Sequence, residues 1–290
     1  MLSSDSMQRN SNIQPDPVFK TQSKQVHISA TKRALDDCRE ALKLWRLGFL
    51  LGWLDIKLRY RGSALGPFWL TITSAMMVGS MGILYGRLFG QDLRSYLPFL
   101  ALSLTCWQAG IASMIHESCN CFLEADSMIR SSRLPFMLQA IRTVVRNAIV
   151  FGHNIIVPIV VFLIYGVWPG LTALWAIPGL LLWVVLGGAC CMLLGVVCAR
   201  FRDVPPIVGA LLQVIFYITP VIWMPAQLQG KAHWLLFNPF YALLEIVRAP
   251  LLGETPSLDV WLISLGVGLV FCVMAAAVFV RTRARLVFWI

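Results

Sequence analysis

Residues 147–199 read NAIVFGHNIIVPIVVFLIYGVWPGLTALWAIPGLLLWVVLGGACCMLLGVVCA, without a single Lys, Arg, Asp or Glu. A hydrocarbon core about 30 Å thick is crossed by roughly 20 apolar residues of helix. At about 1.5 Å of rise per residue, one helix of this length would reach well over twice that thickness. The stretch therefore holds two crossings. Trp168-Pro169-Gly170 is the break between them, because Pro lacks an amide donor and Gly accommodates turn geometry.

Working outward, Gly62–Gly86, Ser95–Ile115, Val204–Gly230 and Val260–Val280 are equally free of charge. Only 13% of the chain is charged, 58% is hydrophobic and the mean hydropathy is +0.73. Soluble domains carry about 25% charged residues. The pattern predicts an all-α integral membrane protein with six transmembrane helices, over 66–86, 95–116, 144–166, 172–198, 205–225 and 259–280.

Lys and Arg collect in alternate segments. Lys32, Arg33, Arg39, Lys43, Arg46, Lys57, Arg59 and Arg61 precede the first span. Arg130, Arg133, Arg142 and Arg146, then Arg200 and Arg202, then Arg281, Arg283 and Arg285 mark the other segments on that side. The opposite side has only Arg87, Arg94, Lys231 and Arg248. By the positive-inside rule both termini are expected in the cytoplasm. The net charge of +10 then reflects topology and contact with anionic lipid rather than nucleic-acid binding.

Residues 1–28, rich in Ser, Gln, Asn and Pro, lack the apolar core of a signal peptide and are expected to form a disordered cytoplasmic tail.

Several chemistries are disfavoured. Ion-coupled transporters usually need a carboxylate inside the membrane, and none lies within the six spans beyond Asp259 at the very start of the last. His153 beside Asn154 is read as an interhelical hydrogen-bonding pair rather than a proton relay. No G-x-x-x-x-G-K-[ST] is present to cradle phosphates, so energy for active transport must come from another chain. His116, Glu117, Glu124 and Asp126 share one loop, the placement a membrane-surface enzyme would use. No H-E-x-x-H or D-x-D accompanies them, and solvation of a loop explains them equally well. Cys119 and Cys121 lack a second pair for a zinc site, so no metal is expected. The other cysteines read as small apolar filler.

Three segments carry the organisation. Residues 29–63 read as an amphipathic interface helix, with Leu35, Leu42, Trp45 and Phe49 recurring among Lys32, Arg39, Lys43 and Arg46. A plain cytoplasmic helix packed on a partner is the alternative. Gly62, Gly66 and Pro67 turn the chain into the bilayer. Glu117–Phe136 is long for a bundle connection, and an exposed helix there stopped by Pro135 suits docking to a soluble partner. Phe201 between Arg200 and Arg202 offers an aromatic anchor. Met224–Pro256 holds apolar pieces too short to span, broken at Asn238-Pro239. This predicts two short helices that enter the outer leaflet and return, a backbone tolerated only where protein buries it or a cavity hydrates it. Phe216, Tyr217 and Tyr241 are candidates to face a pathway.

Together these segments resemble a family. Asp55-Ile56-Lys57, Arg59-Tyr60 and Ser63–Trp69 resemble the lead-in to the first span of type-two ABC export permeases. Arg200-Phe201-Arg202-Asp203 resembles their second coupling element. Ile218–Trp223 with Asn238-Pro239 resembles the fifth span and outer gate, and Phe288-Trp289-Ile290 the C-terminal stretch. The resemblance covers roughly residues 40–290 and is closest to permeases exporting O-antigen, teichoic acid or capsule polysaccharide. It implies a channel-forming homodimer in the inner membrane, moving a lipid-linked glycan and driven by two ATP-binding-cassette subunits. ATP and magnesium then belong to those subunits, and this chain needs no cofactor.

Carried over, the first coupling helix falls on Glu124, Asp126, Ser127, Ile129 and Arg130, and the second on Arg200, Phe201, Arg202 and Asp203. Trp45, Lys57, Arg59, Tyr60 and Arg61 lie where substrate enters along the interface helix. Phe216, Tyr217, Trp223, Asn238, Phe240 and Tyr241 line the channel or gate. The transmembrane domain is 64–290, with the gate hairpin at 224–256. The alternatives are a permease of the same class exporting a small amphiphile or drug, a membrane-embedded glycan or lipid transferase, and a scaffold without transport.

Overall fold

The computed structural model describes residues 30–66, 68–88, 90–132, 134–228 and 232–290. The tail expected over 1–28 lies outside the described residues, as does Ser29. The helices are α1 (Ala30–Lys43), α2 (Trp45–Arg59), α3 (Phe68–Leu88), α4 (Leu93–Thr105), α5 (Ser113–Asn120), α6 (Asp126–Ser131), α7 (Phe136–Asn154), α8 (Ile156–Tyr165), α9 (Ala176–Arg200), α10 (Val204–Ile218), α11 (Pro239–Leu251) and α12 (Leu258–Trp289). No strand occurs among the described residues.

Five continuous helical stretches are long and apolar enough to cross a membrane: Phe68–Leu88, Leu93–Asn120, Phe136–Tyr165, Gly170–Arg200 and Leu258–Trp289. The second runs from α4 through one π-helical segment, Cys106–Ala112, into α5. The third joins α7 to α8 across a break at Ile155. Pro158 cannot return a hydrogen bond to the Asn154 carbonyl, which is why the helix loosens there. The Asn154 side-chain Oδ1 accepts from Ser74 on α3 (2.5 Å), and the Thr71 hydroxyl donates to the His153 carbonyl (3.0 Å). Asn154 thus bonds across helices through its side chain, whereas the His153 ring contacts the Ile149 carbonyl one turn back on its own helix (2.8 Å). Gly166 and Gly170, with φ of 68° and 64°, bracket the reversal around Pro169.

The expected span over 205–225 differs. Its helix, α10, has 15 residues and ends at Ile218. That gives about 22 Å, short of the hydrocarbon core. Thr219 precedes Pro220, and the residue before a proline is forced toward extended geometry; its ψ is 137°. The return comprises a 3₁₀ turn, Pro225–Leu228, and then two short helices that meet at Asn238, the 3₁₀ helix Ala232–Phe237 and α11. The helix expected over 29–60 is divided at Leu44 into α1 and α2.

At the bundle centre α9 touches α5, α7, α11 and α12. The α4–α5 span is the most buried of the five, whereas α3 and α10 leave broad apolar faces uncovered. On α2, small residues set the packing. A Cβ on Gly52 would lie 2.7 Å from the Arg142 backbone oxygen on α7, so only glycine permits this approach. Side chains on the other face, including Trp45, Phe49, Trp53 and Leu54, are exposed.

Gly52→Val is expected to lift α2 from α7 and cost about 1–3 kcal/mol of overpacking strain. A lowered thermal midpoint of the detergent-solubilised chain would register it. Gly152→Ala, where the added Cβ meets nothing within 4 Å, is the matched control and should leave the midpoint unchanged.

Candidate functional site

The Arg-rich end of the bundle carries one ion-pair network. Asp55 on α2 receives a two-pronged contact from Arg142 on α7, at 2.6 Å to each oxygen. One turn along α7, Arg146 pairs with Glu117 on α5, with Glu124 in the following turn (2.7 Å) and with Asp55 (3.5 Å). Arg59 of α2 closes the ring on Glu117 (3.3 Å). The Arg146 side chain is only 5% exposed, so these carboxylates are what make its burial possible. Nearby, burial pushes the Tyr60 phenol above its ordinary value, with Arg59 acting against the shift and Glu117 adding to it.

A second tie lies beside the first. Asp37 on α1 accepts from the Met137 backbone N–H at the start of α7 (3.1 Å) and pairs with Arg283 on α12 (2.8 Å). A carboxylate at a helix N-terminus satisfies an open amide and complements the helix dipole.

The two elements expected to dock a partner both reach the surface at this end. Helix α6 holds Asp126, Ser127, Ile129 and Arg130, with Arg130 paired to Asp126 and donating to the Ile290 carbonyl (2.6 Å). Glu124 precedes it and is tied inward to Arg146. Phe201, Arg202 and Asp203 are exposed between α9 and α10. The Arg200 guanidinium lies over the Phe201 ring (5.6 Å) and the Trp289 ring (5.7 Å). The end of α12 therefore touches both elements. Of the residues expected along the interface helix, Trp45, Lys57 and Arg61 are exposed, while Arg59 and Tyr60 belong to the ion-pair network.

At the opposite end, the non-helical backbone after α10 is buried from Thr219 to Ile222. Two side chains bond this backbone directly and a third holds it through a side chain. Arg248 of α11 donates to the Pro220 carbonyl (2.5 Å), the Tyr96 hydroxyl to the Ile222 carbonyl (2.6 Å), and the Asn238 amide to the Thr219 hydroxyl (2.9 Å). Arg248 is itself 1% exposed and is satisfied by Glu245 and Ser103, with its guanidinium 4.5 Å above the Phe99 ring.

Asn238 also accepts the Phe240 N–H (3.0 Å) and so caps α11. Phe216 and Phe240 both pack against Trp107 of the π segment, at 6.1 and 5.9 Å between ring centroids. Tyr217 is exposed and touches Phe216, and the Trp223 indole donates to the Tyr217 carbonyl (3.2 Å). Tyr241 is half-buried on α11. Sequence reasoning missed Arg146, Arg248 and Tyr96. The available signal for the two arginines was a charge inside or beside an apolar run with a carboxylate near enough to answer it.

Among the described residues, no cluster of three or more His, Cys, Asp or Glu side chains is arranged to hold a metal ion. Residues 47–252 match the ABC-2 type transporter family, most of the chain's length, and the chain belongs to that family. It is 22% identical over 249 residues to an O-antigen export system permease protein RfbA of Klebsiella pneumoniae, covering 83% of this chain and 96% of that protein. It is 23% identical over 198 residues to the O-antigen export system permease protein RfbA of Myxococcus xanthus, covering 67% and 76%. The chain is thus a multi-pass membrane transport subunit, and its family implies association with ATP-binding subunits.

Arg146→Met would leave Glu117 and Glu124 facing each other with their shared cation gone. We expect a loss of about 3–5 kcal/mol, the usual cost of removing one partner from a buried ion pair. Denaturant or thermal unfolding of the solubilised chain measures it. The double variant Arg146→Met with Glu117→Gln should recover part of the loss.

Proposed function

We propose that this chain is the channel-forming permease of an ATP-driven exporter that moves a lipid-linked polysaccharide across the cytoplasmic membrane. The observation that carries the reading is its alignment along nearly the whole length of a permease named for O-antigen export. The Arg-rich end is cytoplasmic on this reading, by the charge asymmetry of the loops. The exposed α6 and the Phe201 segment then meet two separate ATP-binding-cassette subunits, which supply the energy and hold ATP and magnesium.

The exposed face of α10 supports a homodimer. Its 15 residues cannot span alone, and only Leu212 of it is buried within the chain. A second copy packed on its exposed face would shelter it from lipid. Aromatic side chains at Phe216, Tyr217 and Phe240, backed by Trp107, suit a saccharide conduit, because sugar C–H faces stack on aromatic rings. Residues 224–256 act as the outer gate, and α1–α2 lie along the interface where the lipid-linked substrate enters.

One observation favours a second reading. A cavity of about 330 Å³ lies among α5, α7, α9 and α12, and Met114, Phe151, Trp183, Phe240 and Phe271 give it an almost wholly apolar lining. Such a cavity would suit a small amphiphile.

Deleting the gene should remove the surface polysaccharide and leave lipid-linked polymer inside the cell. Unchanged surface polymer together with new sensitivity to amphiphilic drugs would favour the second reading. Blocked polymer synthesis would favour an enzyme. Phe201→Ala is expected to reduce copurification of the ATP-binding subunit by about tenfold, the loss typical of one aromatic anchor. Pull-down from membranes expressing both chains measures it.

A further inference from the structure

A cavity of about 500 Å³ opens at the end opposite the Arg-rich surface. It lies among the start of α4, the turn at Val167, the stretch Met224–Ala226, and α11 with the residues after it. Its volume falls in the usual range of about 300–1,000 Å³ for ligand pockets. Unlike the apolar cavity deeper in the bundle, it combines charged, hydroxyl and aromatic walls: Arg94, Tyr241, Glu245, Arg248 and Glu254, with Phe99 behind them.

The charges cancel, two positive against two negative, so neither a free anion nor a free cation is favoured. The inner pair is already engaged. Arg248 spends its donors on Glu245, Ser103 and the Pro220 carbonyl. Both of its contacts to Glu245 fall on Oε2, so Oε1 has no hydrogen-bond partner among the described residues. At the rim, Arg94 and Glu254 are exposed and make no ion pair among the described residues. The Tyr241 hydroxyl can both donate and accept. The Gln227 amide nitrogen, one residue past the Ala226 wall, is buried without a hydrogen-bond partner among the described residues.

An electrically balanced pocket with free donors, free acceptors and the Tyr241 ring matches a neutral polyhydroxylated ring. We propose that this cavity is a saccharide-binding site, which holds one or two uncharged sugar units of the exported polymer on the outer side of the membrane. The inference rests on the export reading above and assigns it a specific site. Tyr241 supplies a stacking face and a hydroxyl, Glu245 Oε1 and Glu254 accept from sugar hydroxyls, and Arg94 donates. Arg248 acts as a positioning residue that fixes Glu245.

The test uses the full-length chain in lipid nanodiscs. The probe is the host's own surface polysaccharide, freed of its lipid anchor by mild acid, with maltodextrin as an unrelated glycan. Saturation-transfer NMR and tryptophan fluorescence should show saturable binding of the host polymer. Tyr241→Ala should weaken it by about tenfold, the loss of one stack and one hydrogen bond. Arg94→Gln with Glu254→Gln, at two exposed positions that do not support the fold, should weaken it comparably. That pair decides the matter if Tyr241→Ala fails to fold. Equal affinity of both variants and the parent overturns the site, as does a parent that binds no polymer or binds maltodextrin equally well. The export reading fails separately, if deleting the gene leaves surface polysaccharide unchanged.

Discussion

The segment Thr219–Ile222 sets the hardest condition in this structure. It leaves helical geometry within an apolar sequence run, so its backbone groups lose their in-helix partners. In hydrocarbon each unsatisfied group costs several kcal/mol. The fold answers two of these carbonyls with side chains, Tyr96 at the start of α4 and Arg248 within α11, and Asn238 before α11 ties the segment through the Thr219 hydroxyl. Each answer constrains another element. Tyr96 fixes where α4 begins, Asn238 caps α11, and Arg248 needs Glu245, Ser103 and the Phe99 ring before its own burial is tolerable. A proline in the fifth apolar segment thereby fixes the position of α4 relative to α11.

The other end solves a different problem. The loops there are basic, and a cation brought inward must meet its countercharge inside the protein. Arg146 draws Glu117 and Glu124, Arg142 draws Asp55, and Asp37 draws Arg283. These contacts are long-range in sequence and short in space. They bind α1 and α2, which at 14 and 15 residues are too short to be candidate spans, to α5, α7 and α12, which belong to the spans. The packing of Gly52 against Arg142 works in the same place and direction. Charge pairing and close backbone approach thus hold the two N-terminal helices to the bundle.

Charge-free length exposed the spans, since a helix facing lipid must be apolar along its whole crossing. The turn at Pro169 was legible because Trp168-Pro169-Gly170 interrupts a run that could not otherwise fit. The shortening of α10 was missed because hydropathy cannot distinguish a helix from an apolar coil. The Thr219-Pro220 pair carried the signal, and the apolar run to Met224 hid it. Leu44 divides a helix whose periodicity continues through it, so the pattern showed no break. Partners such as Arg146 with Glu117 were invisible because no local rule links residues on different helices. The exposure of Phe201 was easier to expect, since a ring between two arginines in a short loop has little to bury against.

The two ends also differ in what a moving part could transmit. At the Arg-rich end α6 is short, and Glu124 just before it reaches inward to Arg146, which also contacts Asp55 of α2. A displacement of the segment before α6 therefore pulls on a charge shared with α2. At the opposite end, Arg248 sits on α11, whose backbone at Ile246 meets Gly179 of α9; a Cβ there would lie 2.9 Å from the Ile246 oxygen. Helix α9 itself runs on to Arg200 beside Phe201. One rigid helix thus connects the surface around Phe201 with the element that satisfies the broken backbone. Close packing without intervening flexible side chains makes such a connection stiff. A shift of α9 along its axis would have to be absorbed by the contacts Arg248 makes to Ser103 and the Pro220 carbonyl.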